Sequence, residues 1–126
     1  MPYTPPQGVW IDFSSGSSPA GWVSFTVQKV QYLLYGKLMI LTFNFTGVTT
    51  TGTNTASFSL PFSNSSFADL NTPIKTITAT TTAIGNALVS ASSSTVNLYP
   101  TAANGNWQSA AASVKTAFGT LIISLA

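Results

Sequence analysis

The sequence predicts an all-β protein: an antiparallel β-sandwich, jelly-roll-like, with an extended N-terminal arm. Three observations predict it. Apolar and polar residues alternate at period two over several short runs, as they do in half-buried strands. Clusters of Gly, Pro, Asn and Ser separate those runs at intervals of roughly ten residues, the turn spacing of sandwiches and jelly rolls. The polar side of the composition is carried by 19 Thr and 17 Ser, against only four lysines and two aspartates, and β-branched Thr suits a pleated surface.

Residues 1–21 are rich in Pro, Gly and Ser around the apolar island Val9-Trp10-Ile11-Asp12-Phe13, so they read as an arm with one edge strand that docks on a partner. Residues 22–126 form the sandwich domain. Its first strand has Val23, Phe25 and Val27 on one face and Ser24, Thr26 and Gln28 on the other. Tyr35-Gly36-Lys37 marks a tight turn, and Met39, Leu41, Phe43 and Phe45 alternate along a strand that is apolar on both faces at its start, hence central. Thr46 to Asn54 is a polar connection and a candidate binding loop. Ala56, Phe58, Leu60 and Phe62 continue the alternation, with Pro61 marking a strand end. A weaker strand is expected from Ile74 to about Thr82, a break at Gly85 and Asn86, short strands at Ala87–Ser90 and Thr95–Tyr99, and a last strand from Thr120 to Ala126. Gln108 to Val114 is the one segment with helical character, through Ala110-Ala111-Ala112.

The chain contains no His, Cys, Arg or Glu, which removes most groups that transfer protons, hold metals or attack carbonyls at neutral pH. An enzyme, a cofactor and a metal site are therefore not expected. The two acids, Asp12 and Asp69, lie in separate turn-like contexts, and no S-x-x-K spacing marks a Ser–Lys pair. Four scattered lysines without arginine do not make a nucleic-acid footprint, despite a pI of about 9.2. The longest apolar run, Leu38 to Leu41, is far short of a membrane span, and residues 1–20 have no signal-peptide pattern. The Asn44-Phe45-Thr46 and Asn64-Ser65-Ser66 sequons read as chance in a chain this rich in hydroxyls.

The segments Tyr32-Leu33-Leu34-Tyr35-Gly36-Lys37-Leu38-Met39-Ile40-Leu41, Phe43-Asn44-Phe45-Thr46-Gly47 and Phe58-Ser59-Leu60-Pro61-Phe62 resemble a small β domain of bacteriophage tail-fibre tips, head fibres and minor structural (decoration) proteins. The closing Gly119-Thr120-Leu121-Ile122-Ile123 is similar to that family's terminal strand. The resemblance covers about half the chain and implies a homotrimeric β-sandwich on a virion, assembled in the host cytoplasm and often used for host attachment. Without a heptad segment the chain departs from the long-fibre members, which favours a free-standing decoration or fibre protein whose arm docks on other virion proteins.

Weak charge repulsion between copies suits association through apolar sheet faces. The expected function is thus a non-enzymatic phage structural protein, with a carbohydrate-binding module or lectin as the alternative. Tyr3, Trp10 and Phe13 are the expected partner anchors of the arm, because aromatic side chains bring large contact area with a polar edge. Asn54, Asn104, Asn106 and Trp107 are the candidate glycan or host contacts, since neutral amides beside an indole suit sugar hydroxyls and ring faces. Trp22, at the head of a strand, is expected in the core or at a subunit interface.

Overall fold

The computed structural model describes residues 7–48, 55–65, 69–78, 81–101, 107 and 114–125. Among these residues the protein is all-β, and no helix is long and apolar enough to cross a membrane. Eight strands are present: β1 (Ile11–Asp12), β2 (Ser24–Tyr35), β3 (Leu38–Val48), β4 (Ala56–Ser59), β5 (Leu70–Thr78), β6 (Thr81–Val89), β7 (Thr95–Tyr99) and β8 (Val114–Ser124). They form one antiparallel sheet in the order β1-β2-β3-β8-β5-β6-β7-β4.

Where the sequence suggests two stacked layers, hydrogen bonding runs continuously through this single sheet. The sheet curls instead, so that its two halves face each other. Phe43 and Phe45 of β3 meet Phe58 of β4 at ring-centroid separations of 4.9 and 5.1 Å, although five strand steps separate β3 and β4 in the hydrogen-bonded order. The alternation read from the sequence supplies the inner face: Val30, Leu34, Met39, Leu41, Phe43, Phe45, Val89, Val96, Leu98, Leu121 and Ile123 are all buried.

The β2–β3 connection is a two-residue loop, Gly36-Lys37, between the paired residues Tyr35 and Leu38. Gly36 has φ +60° and Lys37 is not among the positive-φ residues, the pattern of the type II′ turn that matches strand twist. The β2 alternation slips once. A bulge between Phe25 and Val27 leaves Phe25 packed on the core while Val27 is exposed, which corrects the expectation that the two share a face; Val23, just before the strand begins, is exposed as well and does not join them.

Three other boundaries move. The stretch expected as one strand from Ile74 to Thr82 is two, β5 and β6, and β6 runs through Gly85 and Asn86 without breaking. β8 begins at Val114, six positions before the expected Thr120, so Val114 is strand; residues 108–113 of the expected helical stretch lie outside the described residues. Within the expected arm of residues 1–21, residues 7–13 lie along β2, with Gly8 and Phe13 amides donating to the Leu34 and Val30 carbonyls and β1 at the sheet edge; residues 1–6 lie outside the described residues.

The chain between β1 and β2 then crosses to the far edge of the sheet. Ala20 and Ser57 exchange backbone hydrogen bonds of 2.8 and 3.1 Å, and the Ser59 amide donates to the Ser17 carbonyl. This covers the outer edge of β4 and draws the sheet toward closure. At the opposite end, Asn64 is buried and its amide reaches the Val89 and Ser90 carbonyls, which fixes the 60–65 segment across the opening.

Phe58 joins the two halves of the curl, so Phe58→Ala is expected to lower the unfolding free energy by about 3–5 kcal/mol. Urea denaturation monitored by tryptophan fluorescence measures it; a loss below about 1 kcal/mol would show that the halves are not held by this contact.

Candidate functional site

Strand register defines the outer face of the sheet row by row, because directly paired residues share a face. The first row is Tyr35–Leu38–Ser124 and the second is Leu33–Ile40–Ile122. Tyr35, Leu38 and Ile122 are 71%, 48% and 59% exposed, so this end of the face is apolar and open. The third row, Gln31–Thr42–Thr120, is polar. The fourth, Lys29–Asn44–Phe118–Lys75–Ile84, crosses five strands and carries the cations.

Beyond Lys75 and Phe118, β5 and β8 cease to pair. A groove of about 710 Å³ opens there, lined by Pro73, Lys75, Ile84, Phe118 and Thr120 among others. Lys75 Nζ sits 5.3 Å from the Phe118 ring centroid, a cation–π arrangement.

Of the residues expected at the site, Tyr3, Asn54, Asn104 and Asn106 lie outside the described residues. Trp10 is 48% exposed immediately before β1. Phe13 packs on the core, edge-on to Tyr32 at 6.1 Å. Trp107 is buried and its indole N–H donates to the Leu98 carbonyl at 3.0 Å, so in this geometry its ring faces the interior. Trp22 is partly buried against the core, its ring tilted toward Phe25 and Phe45 at 5.4 and 5.5 Å in a three-ring cluster.

The two acids are held apart by different duties. Asp12 Oδ1 accepts from the Ser14 hydroxyl and amide, and its other oxygen is 3.9 Å from Lys29 Nζ. The Ser14 hydroxyl, then its amide, and then Lys29 hold the Asp12 carboxyl below the usual carboxylate range. Asp69 accepts from the Ala91 amide.

Sequence reasoning missed Lys115. Its side chain points inward, 1% exposed, and Nζ donates to the Gly21 carbonyl at 2.9 Å and the Thr55 carbonyl at 3.3 Å. The indoles of Trp22 and Trp107 lie 5.5 and 5.3 Å from it, and Trp22 returns a hydrogen bond to the Lys115 carbonyl. Burial lowers the Lys115 pKa from 10.5 to about 8. A lowered amine pKa is common in catalytic lysines, but this amine is enclosed by its own chain and serves as a tether. The signal was available: stepping back by twos from Leu121 through Gly119 and Ala117 lands on Lys115.

Compared with known proteins, the chain matches no family model, no curated protein and no solved structure.

The folded pKa of Lys115 lies below the unfolded one. The cost of burying the ammonium is therefore fully present below pH 8 and disappears as pH rises to 10.5. The interval corresponds to about 3 kcal/mol. Wild type is expected to gain stability relative to Lys115→Met between pH 7.5 and 10, read from paired thermal melts; parallel curves would refute the assignment.

Proposed function

We propose that the chain is a non-enzymatic structural component of a bacteriophage particle, a capsid decoration, head-fibre or tail-tip protein, that assembles by covering the apolar end of its outer sheet face. In this reading the curled sheet plays the part of the expected jelly-roll-like sandwich, and copies associate as a homotrimer. The observation that carries it is the pair of rows Tyr35–Leu38–Ser124 and Leu33–Ile40–Ile122. Scattered surface apolar residues need no explanation, but a contiguous patch does. Full burial of one such side chain stabilises an interface by roughly 1.5–3 kcal/mol.

The composition supports the same reading. With a formal charge of +2 on 126 residues, copies repel weakly, and the patch needs no ion pairs to be covered. Half-exposed Trp10 precedes the edge strand next to β2. It is the described anchor that remains available to other virion proteins, whereas Phe13 serves its own core. The groove beside Lys75 favours a second reading, a carbohydrate-binding or host-contact surface, because an aromatic side chain flanked by Thr hydroxyls suits a sugar ring.

Native mass spectrometry at micromolar concentration is expected to give a trimer for wild type. Ile122→Lys, which places an ammonium in the second apolar row, is expected to give monomer with stability changed by no more than about 1 kcal/mol. A wild-type monomer that fails to associate with phage particles would overturn the proposal.

A further inference from the structure

The groove beside Lys75 has features that the assembly reading does not use. Its volume, about 710 Å³, falls within the roughly 300–1,000 Å³ of small-molecule sites. Ile84, 69% exposed, Pro73 and the half-buried Phe118 line it together with the hydroxyl residues Thr82 and Thr120. One cation is present, Lys75, and its partner is the Phe118 ring. The two side-chain carboxylates are engaged elsewhere, Asp12 with Ser14 and Lys29 and Asp69 with the Ala91 amide. Lys29, the other cation of the same row, has Asp12; Lys75 has no ion pair among the described residues.

We infer that this groove binds a ligand carrying a carboxylate on a ring with an apolar face, the ring lying against Phe118 and Ile84 and the carboxylate meeting Lys75. Charge complementarity selects the anion. The lining selects the ring, because a flat apolar face covers Phe118 and Ile84 while its edges reach Thr82 and Thr120. A sugar acid and an aryl carboxylate share this chemistry. The inference does not depend on oligomerisation, since every residue it names lies on one protomer.

The experiment is a titration followed by amide NMR, using the full chain in its wild-type and Ile122→Lys forms. Three probes are compared: an oligogalacturonate, its methyl ester as the neutral counterpart, and phenylacetate. The inference expects saturable shifts centred on Lys75, Ile84, Phe118 and Thr120 with at least one of the two carboxylates, and which one responds identifies the source. It expects the ester to bind at least about tenfold more weakly, and Lys75→Gln to lose at least about tenfold in affinity for the carboxylate. Lys29→Gln, on the same face but already paired with Asp12, should change affinity less than twofold. Thermal melts confirm that each variant is folded.

Equal binding of ester and acid, shifts centred away from the groove, or no response to either carboxylate at millimolar concentration would overturn the inference. A monomeric wild type that still binds the acid would overturn assembly alone. An oligomer indifferent to every probe would overturn the groove alone.

Discussion

Closure of the curled sheet rests on one buried lysine side chain. Where the chain crosses from β1 toward β4, the backbone of Gly21 approaches Thr55 so closely that a Cβ at Gly21 would lie 2.2 Å from the Thr55 oxygen, and Gly21 itself has φ +106°. Both carbonyls turn inward, and an inward carbonyl left without a donor costs about 1–3 kcal/mol. Lys115 donates to both. Among the described residues, the indole faces of Trp22 and Trp107 supply negative potential beside the ammonium. A neutral amine keeps two N–H donors, so the seam holds on either side of pH 8 while the cost of the charge falls as pH rises.

This arrangement frees the outer face for other work. The inner face is filled by aromatic and aliphatic side chains and closed by Lys115, so the remaining described charges lie outside or at turns. With so few ions, each exposed lysine has an electrostatic environment set by one or two neighbours. Lys29 is balanced by Asp12 at 3.9 Å, a pair that is about 60% exposed at both ends and contributes little to stability. Lys75 lies on an aromatic ring at the rim of a groove. Two lysines of one cross-strand row thus differ in what they can offer a ligand.

Much of the central sheet was legible in the sequence because its signals are local. The Tyr35-Gly36-Lys37 turn, the alternation from Met39 to Phe45 and the strand Thr95–Tyr99 all stand where propensity and period two place them. The failures have a common cause, long-range backbone approach. Gly85 reads as a strand breaker, yet in β6 it lets the Tyr99 carbonyl lie where a Cβ would be 2.2 Å away. The bulge at Thr26 and the crossing at Gly21 depend on partners at positions 47 and 55, which no window of neighbouring residues reveals. The continuity of the sheet is of the same kind, since it rests on β5 pairing with β8 through the four residues Lys75–Thr78. The site was less legible still. Of the aromatics expected to face a partner, Trp107 turned out to shield Lys115, and the groove forms where the consecutive strands β5 and β6 meet the distant β8.

The apolar rows and the groove are also close enough to influence each other. Ile122 and Thr120 are two positions apart on β8 and share its outer face, a separation of about 7 Å along the strand. A subunit seated on Tyr35, Leu38 and Ile122 therefore reaches the polar row Gln31–Thr42–Thr120 at its margin, where interfaces are normally polar and wet. The groove lies next to that margin rather than beneath it. Assembly by this face would leave Lys75 accessible while placing a neighbouring copy beside Thr120, so that each groove gains a wall without losing its cation. The polar third row is what makes the two uses of the face compatible: replacing Thr42 or Thr120 by an aliphatic residue would extend the apolar patch toward Phe118 and bring self-association into competition with the ligand.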